Sequence, residues 1–303
     1  MESALPSPQP RVGPVRVWLL AARPATLPAA ITPVFVGSAA AASTGHFRVD
    51  AFLVALVASM LIQVGTNLAN DYFDFVKGAD TAARLGPRRV TQSGLIAPGA
   101  VRRATVLVFG LAAVCGLYLV LVGGWPILAI GVASIAAAVL YTGGPWPLGY
   151  HGLGDVTCFI FFGLVAVIGT AFLHTGSVTP VAVVASIPVA CLVTAILVVN
   201  NLRDVATDRA TGKYTLAVLI GRRATRAEYV LLLAVAFAVP LARWLAGAAS
   251  WWFWLPWLTA PLAISLLRVV LRQEGPPLNR ALRDTARLHL FFGLLFALSL
   301  LLG

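Results

Sequence analysis

Long apolar runs constrain this chain more than any other feature. Nine segments are rich in Leu, Val, Ala and Ile and nearly free of charge: 17–42, 50–72, 101–122, 126–142, 155–174, 179–202, 227–247, 251–271 and 286–302. A helix that crosses a bilayer needs about 20 such residues. The pattern predicts an all-α polytopic membrane protein with nine transmembrane helices. Composition agrees: the 303 residues are 59% hydrophobic and 11% charged, more apolar than soluble domains. Residues 1–16 are Pro-rich and polar and show no cleavage site after the first apolar run. They read as a disordered tail ahead of a single domain, 17–303. Pro188, Pro256 and Pro261 fall inside predicted helices, where kinks are expected.

The basic residues fix an orientation. Of 22 Lys and Arg, only Arg48 and Arg243 fall in one set of connections, and nearly all the rest fall in the other. Loops rich in Lys and Arg face the cytoplasm. This predicts a cell (inner) membrane protein with the N-terminus inside and the C-terminus outside. The net charge of +11 is thereby explained as topology, and nucleic-acid binding is not expected.

Two polar stretches interrupt the apolar pattern on that inner side. One runs from Asn70 to Asp80, the other from Asn200 to Asp208, and together they hold five of the chain's 11 acidic residues. Each follows an apolar segment and carries an Asn four residues before an Asp. On a helix, i and i+4 share a face, so Asn70 aligns with Asp74, and Asn200 with Asp204 and Asp208. The matching units suggest an internal repeat, 17–142 against 155–271, followed by a ninth helix. Carboxylates at the ends of membrane helices are functional by default. Mg²⁺ prefers oxygen ligands from a few carboxylates plus substrate phosphates. Asp74, Asp80, Asp204 and Asp208 are therefore the candidate metal ligands, with Asn70 and Asn200 as neutral oxygens beside them. Nearby Lys and Arg would face the remaining phosphate oxygens. A metal-bound diphosphate beside an apolar bundle suggests a polyprenyl diphosphate, its tail among the helices and lipid.

Three loops flank this site. The first, about 71–103, is long for a helical bundle and so a candidate lid. The second, 203–226, follows the same order of acidic, then basic, residues. The third, 141–155, is Gly- and Pro-rich, and its one carboxylate, Asp155, also suits a helix N-cap. Cys115, Cys158 and Cys191 lie in apolar segments with no metal spacing, and the four His show none either. Trp251, Trp252, Trp254 and Trp257 suit an interfacial aromatic belt.

Asn70-xxx-Asp74-xxxxx-Asp80, Tyr141-Thr142-Gly143-Gly144 and Asn200-Asn201-xx-Arg203-Asp204-xxx-Asp208 resemble the UbiA superfamily of intramembrane prenyltransferases. Arg23-Pro24-x-Thr26-Leu27, Arg84-x-Gly86-Pro87-x-Arg89 and Gly212-Lys213-x-Thr215-Leu216 are similar to its menaquinone branch, which acts on 1,4-dihydroxy-2-naphthoate. The resemblance implies a nine-helix bundle around a central cavity. It implies Mg²⁺-dependent transfer of a polyprenyl group to that naphthoate, with loss of CO₂ and formation of demethylmenaquinone. On that reading Lys77, Arg84, Arg203 and Lys213 bind the diphosphate with Asn70 and Asn200. Tyr141 donates a hydrogen bond to it, Asp71 and Asp155 are alternative proton acceptors, and Arg88, Arg89 and Gln92 hold the acceptor. The rival enzyme readings are a different aromatic acceptor, or a prenyl-diphosphate hydrolase or cyclase. A transporter would place its charges near the bilayer midplane, where this chain has almost none.

Overall fold

The computed structural model describes residues 13–81, 85–87, 89–247 and 250–303. Ten helices account for most of them: α1 (Pro14–Ala22), α2 (Pro28–Ala42), α3 (Val49–Val76), α4 (Pro98–Gly123), α5 (Trp125–Leu140), α6 (Gly154–Thr175), α7 (Pro180–Ala210), α8 (Leu216–Leu245), α9 (Trp251–Arg272) and α10 (Leu278–Leu302). Seven of these are long and apolar enough to cross a membrane, and α1 with α2 make an eighth, bent by 48°. The expected count of nine also included α5, which at 16 residues falls short of a full span.

The bend between α1 and α2 has a local cause. Arg23 takes a left-handed backbone conformation at φ 51° and ends α1, while Pro24 and Pro28 supply no backbone N–H to continue it. The expected kinks resolve differently at each proline. Pro188 sits within an uninterrupted α7. Pro256 lies in a tight-wound opening of α9, Trp251–Thr259, and Pro261 starts the α-helical remainder. Within α6, Phe159–Val165 is wound as a π-helix. There Gly163 meets α7 so closely that a Cβ would lie 2.3 Å from Ala190 Cα. Small residues allow such close approaches between membrane helices.

Several helices extend past their apolar windows. α8 begins at Leu216, with a kink at Gly221 (φ 78°), and α10 at Leu278, each well before the predicted start. Their first turns carry Arg222, Arg223 and Arg226, or Arg280 and Arg283, so hydropathy alone places them in loops. α1 likewise begins at Pro14, inside the predicted tail. The two helices that carry the Asp stretches are among the three longest, with α8 at 30 residues. α3 has 28 residues and α7 has 31, about 42 and 46 Å at about 1.5 Å per residue. Both exceed the roughly 30 Å hydrocarbon layer, and their polar C-terminal turns stand together at one end of the bundle. α3 packs along α4, α7 along α8, and α2 against α6 and α10. The main core, with Leu192, Tyr229, Phe292 and Phe296 fully buried, lies among α2, α7, α8 and α10.

Candidate active site

The site starts at the inner end of α3. Asp74 is 1% exposed and gathers several partners. Arg89 donates to its Oδ2 at 2.9 Å, Tyr150 donates to its Oδ1 at 2.7 Å, and Lys213 Nζ lies 3.9 Å from Oδ2. Arg89 is itself buried, and its Nε lies 3.3 Å from Asp80. One guanidinium thus bridges the two carboxylates expected to hold metal. Arg89, expected to hold the acceptor, forms part of the carboxylate cluster.

Asp71 holds the backbone of the same segment. Its oxygens accept from the backbone N–H groups of Val90 and Thr91 at 3.2 and 3.0 Å, with Arg23 at 3.8 Å. It anchors the segment that carries Arg89. Gln92 sits half-buried in the turn that follows. Arg84 and Arg88 lie outside the described residues.

At the end of α7, Arg203 is 1% exposed and has all its partners within the protein. It donates to Asp204 from Nε at 2.8 Å, to Asn200 at 2.9 Å and to Asn279 of α10 at 2.9 Å. Asn279 in turn donates to the Leu85 carbonyl at 2.9 Å. Asp204 is therefore held in an ion pair, and Asp208 stands half-buried one turn further on. Asn70 accepts from Thr142 at 2.9 Å.

Two loops meet over this end. Tyr214 donates its backbone N–H to the Tyr150 carbonyl at 3.1 Å, which ties the loop after α5 to the loop after α7. Lys77 and Lys213 each sit 5.3 Å from the centre of the Tyr150 ring. Lys77 also donates to the Gly144 carbonyl at 2.9 Å. Burial pulls the Lys77 ammonium below its ordinary pKa, with the Asp74 charge opposing. Burial and the Asp74 charge push the Tyr150 hydroxyl well up. Burial first, then the charge of Asp155, raises Tyr141 likewise. Both tyrosines therefore remain protonated and can donate. The Tyr141 hydroxyl packs against Gly154, where a Cβ would come within 2.8 Å of it. Asp155 follows in the first turn of α6, 4% exposed, and does not cap the helix.

Some of these groups line one end of a cavity of about 480 Å³. Asn70, Asp74, Arg89, Tyr141, Asn200 and Lys213 form the charged end, and Ile127, Phe161, Phe162 and Leu197 belong to its long apolar part. Among the described residues no group of three or more His, Cys, Asp and Glu forms a protein-only metal cage. Mg²⁺ does not require one, since it binds through one or two carboxylates together with substrate phosphates. Asp74 and Asp80, already close enough to share one guanidinium, fit that donor set.

Known proteins are similar to this chain. The model of the UbiA prenyltransferase family matches residues 30–302. The chain belongs to this family. As a UbiA-family protein with these spans, it is an integral membrane protein. Its relatives include the 1,4-dihydroxy-2-naphthoate octaprenyltransferases of Escherichia coli, 36% identical over 97% of both chains, and of Mycobacterium tuberculosis, 39% identical over 94% of this chain and 97% of that one. The fold resembles a UbiA homolog from Archaeoglobus fulgidus bound to GPP and Mg²⁺, at 13% identity and a TM-score of 0.66 over 95% of this chain and 100% of that one.

Four polar residues of this UbiA-family site escape sequence reasoning. Tyr150 lies in the Gly- and Pro-rich loop, where Tyr141 and Asp155 stood out. Asn279 starts α10 in a segment that reads as a connection. Gln63 and Asn67 are buried within the apolar run of α3. Gln63 lies four residues before Asn67 and seven before Asn70, and Asn67 lies three before Asn70 and seven before Asp74; this spacing is the one signal that places them on the same helix face.

Proposed function

We propose that this protein transfers a polyprenyl group from a polyprenyl diphosphate to 1,4-dihydroxy-2-naphthoate, releasing diphosphate and CO₂ and leaving demethylmenaquinone in its reduced, quinol form. The observation that carries the reading is the cavity, charged at the α3–α7 end and apolar along its length. A diphosphate fits the first part and an isoprenoid chain the second. The names of the bacterial relatives support the naphthoate as acceptor.

Asp74 and Asp80 would hold Mg²⁺ with the diphosphate oxygens, and Asp208 and Asp204 would serve from the α7 side. Bound there, the ion neutralises the leaving group. Lys213, Lys77 and Arg89 draw the diphosphate in and stabilise charge on its departing oxygens. Tyr141 and Tyr150, held protonated, donate hydrogen bonds at the same end. The allylic C–O bond breaks with its electron pair going to diphosphate, and the ring carbon supplies the pair for the new C–C bond. Loss of CO₂ returns a pair to the ring. The apolar wall keeps water from the allylic cation. Asp155, buried beside Tyr141, is favoured over Asp71 as proton acceptor, because both Asp71 oxygens already hold backbone N–H groups. Arg84, Arg88 and Gln92 remain acceptor or diphosphate candidates on the loop after α3.

The domain takes in α1 from Pro14 and runs to 303, and its matched Asn-xxx-Asp helices support an internal repeat. The basic residues around the site support a cytoplasmic active face, with the N-terminus inside and the C-terminus outside. The test is an assay in detergent with polyprenyl diphosphate, Mg²⁺ and either 1,4-dihydroxy-2-naphthoate or 4-hydroxybenzoate, following prenylated product and CO₂. Product and matched CO₂ with the naphthoate alone are expected. Product only with the benzoate would refute the acceptor, and diphosphate release with neither would indicate a hydrolase or cyclase.

A further inference from the structure

A second polar cluster lines the same cavity, away from the diphosphate end. It comprises Arg23, Thr26, Gln63 and Asn67. Its hydrogen bonds fix the direction of each group. Thr26 donates its hydroxyl proton to the Arg23 carbonyl at 2.9 Å, so its oxygen is left to accept. It accepts from Gln63 Nε2 at 3.0 Å and from Asn67 Nδ2 at 2.8 Å. Asn67 Nδ2 also donates to the Ala22 carbonyl at 2.9 Å. The Gln63 amide is thereby oriented by chemistry, its nitrogen toward Thr26 and its oxygen away.

That oxygen, Gln63 Oε1, is buried and has no hydrogen-bond partner, on a residue 6% exposed. A buried acceptor without a donor is costly, and such groups in a binding cavity mark what the ligand supplies. Gln63 stands seven residues before Asn70 on α3, about 10 Å along the axis at about 1.5 Å per residue. This separation from the diphosphate end accommodates a bicyclic aromatic ring carrying a hydroxyl on its far side.

We propose that Gln63 determines specificity for the aromatic acceptor, its Oε1 taking a hydrogen bond from the ring hydroxyl remote from the acceptor's carboxylate. The proposal rests on the naphthoate reading above. In 1,4-dihydroxy-2-naphthoate the 1-hydroxyl is held internally by the neighbouring carboxylate. The 4-hydroxyl is the donor left free.

The test compares 1,4-dihydroxy-2-naphthoate with 1-hydroxy-2-naphthoate, under anaerobic conditions, on purified protein in detergent. Calorimetric binding without prenyl diphosphate keeps the ring's intrinsic reactivity out of the comparison. Wild type should bind the dihydroxy compound about 10-fold more tightly. In Gln63→Met the ratio should collapse toward one. In turnover, Gln63→Met should raise KM for the dihydroxy acceptor about 10-fold and leave KM for the prenyl diphosphate in place. A ratio near one in wild type, or the same ratio in both proteins, overturns the proposal. Should Gln63→Met not fold, the wild-type ratio decides alone. Wild type that makes prenylated naphthoate with a ratio of one defeats this proposal only. Wild type that neither binds nor prenylates the naphthoate defeats the functional reading, and this proposal with it.

Discussion

The Tyr150 hydroxyl donates a 2.7 Å hydrogen bond to Asp74, across 76 residues of sequence. It joins the loop after α5 to the end of α3, and two lysines flank its ring. Tyr150→Phe keeps the ring and removes only this bond. A hydrogen bond to a charged group contributes about 1.5–3 kcal/mol, so kcat/KM for the prenyl diphosphate should fall about 10- to 100-fold. Steady-state kinetics with a melting curve on the same preparation checks this, and an unchanged kcat/KM would remove Tyr150 from the site.

Lys77 predicts the alkaline limb of the pH profile. Burial lowers its pKa below the ordinary 10.5, so its charge is lost at a lower pH than that of a free lysine. Activity that needs this charge is present below the lowered pKa and falls as pH rises through it. Tyr150 does not contribute there, because its hydroxyl is pushed upward. Lys77→Arg should move the limb to higher pH, and a limb that stays fixed would exclude Lys77 as its source.

Asp71 should matter for stability more than for chemistry. It satisfies two buried backbone donors in the segment that carries Arg89. Asp71→Ala leaves both without an acceptor, at about 1–3 kcal/mol each. Hydrogen exchange at Val90 and Thr91 should rise sharply, with a lower melting temperature. Continued protection of those amides would show that another group holds the loop.

Metal dependence should divide the carboxylates. Asp74→Asn and Asp208→Asn should each raise the Mg²⁺ concentration for half-maximal activity and lower kcat by about 100-fold or more, as expected when charge stabilisation of the leaving group is lost. Full prenyl transfer by either variant at low Mg²⁺ would contradict the assignment.

The membrane-embedded outline is legible because charges in an apolar chain are conspicuous. Asp74, Asp80, Asp204 and Asp208 stand out against helices that carry almost none. The structure then pairs them in ways that spacing does not encode: Arg89 with both Asp74 and Asp80, and Arg203 with Asp204 and Asn279. Neutral polar groups hide best. Thr26, Gln63 and Asn67 weigh little in a hydropathy window, yet their mutual hydrogen bonds link α3 to the break before α2. Charged turns shorten α8 and α10 in the sequence pattern, since helix resumes after the break at Gly221 in α8 and starts at Leu278 in α10, before hydropathy rises.

The backbone bond from Tyr214 to the Tyr150 carbonyl also limits how this scaffold can be recombined. A chimera that imports residues 141–154 from a relative separates Tyr150 from the strand-like partner that positions it. The segment 208–215 has to travel with it, so the two loops form one transplantable unit although more than fifty residues and two helices lie between them.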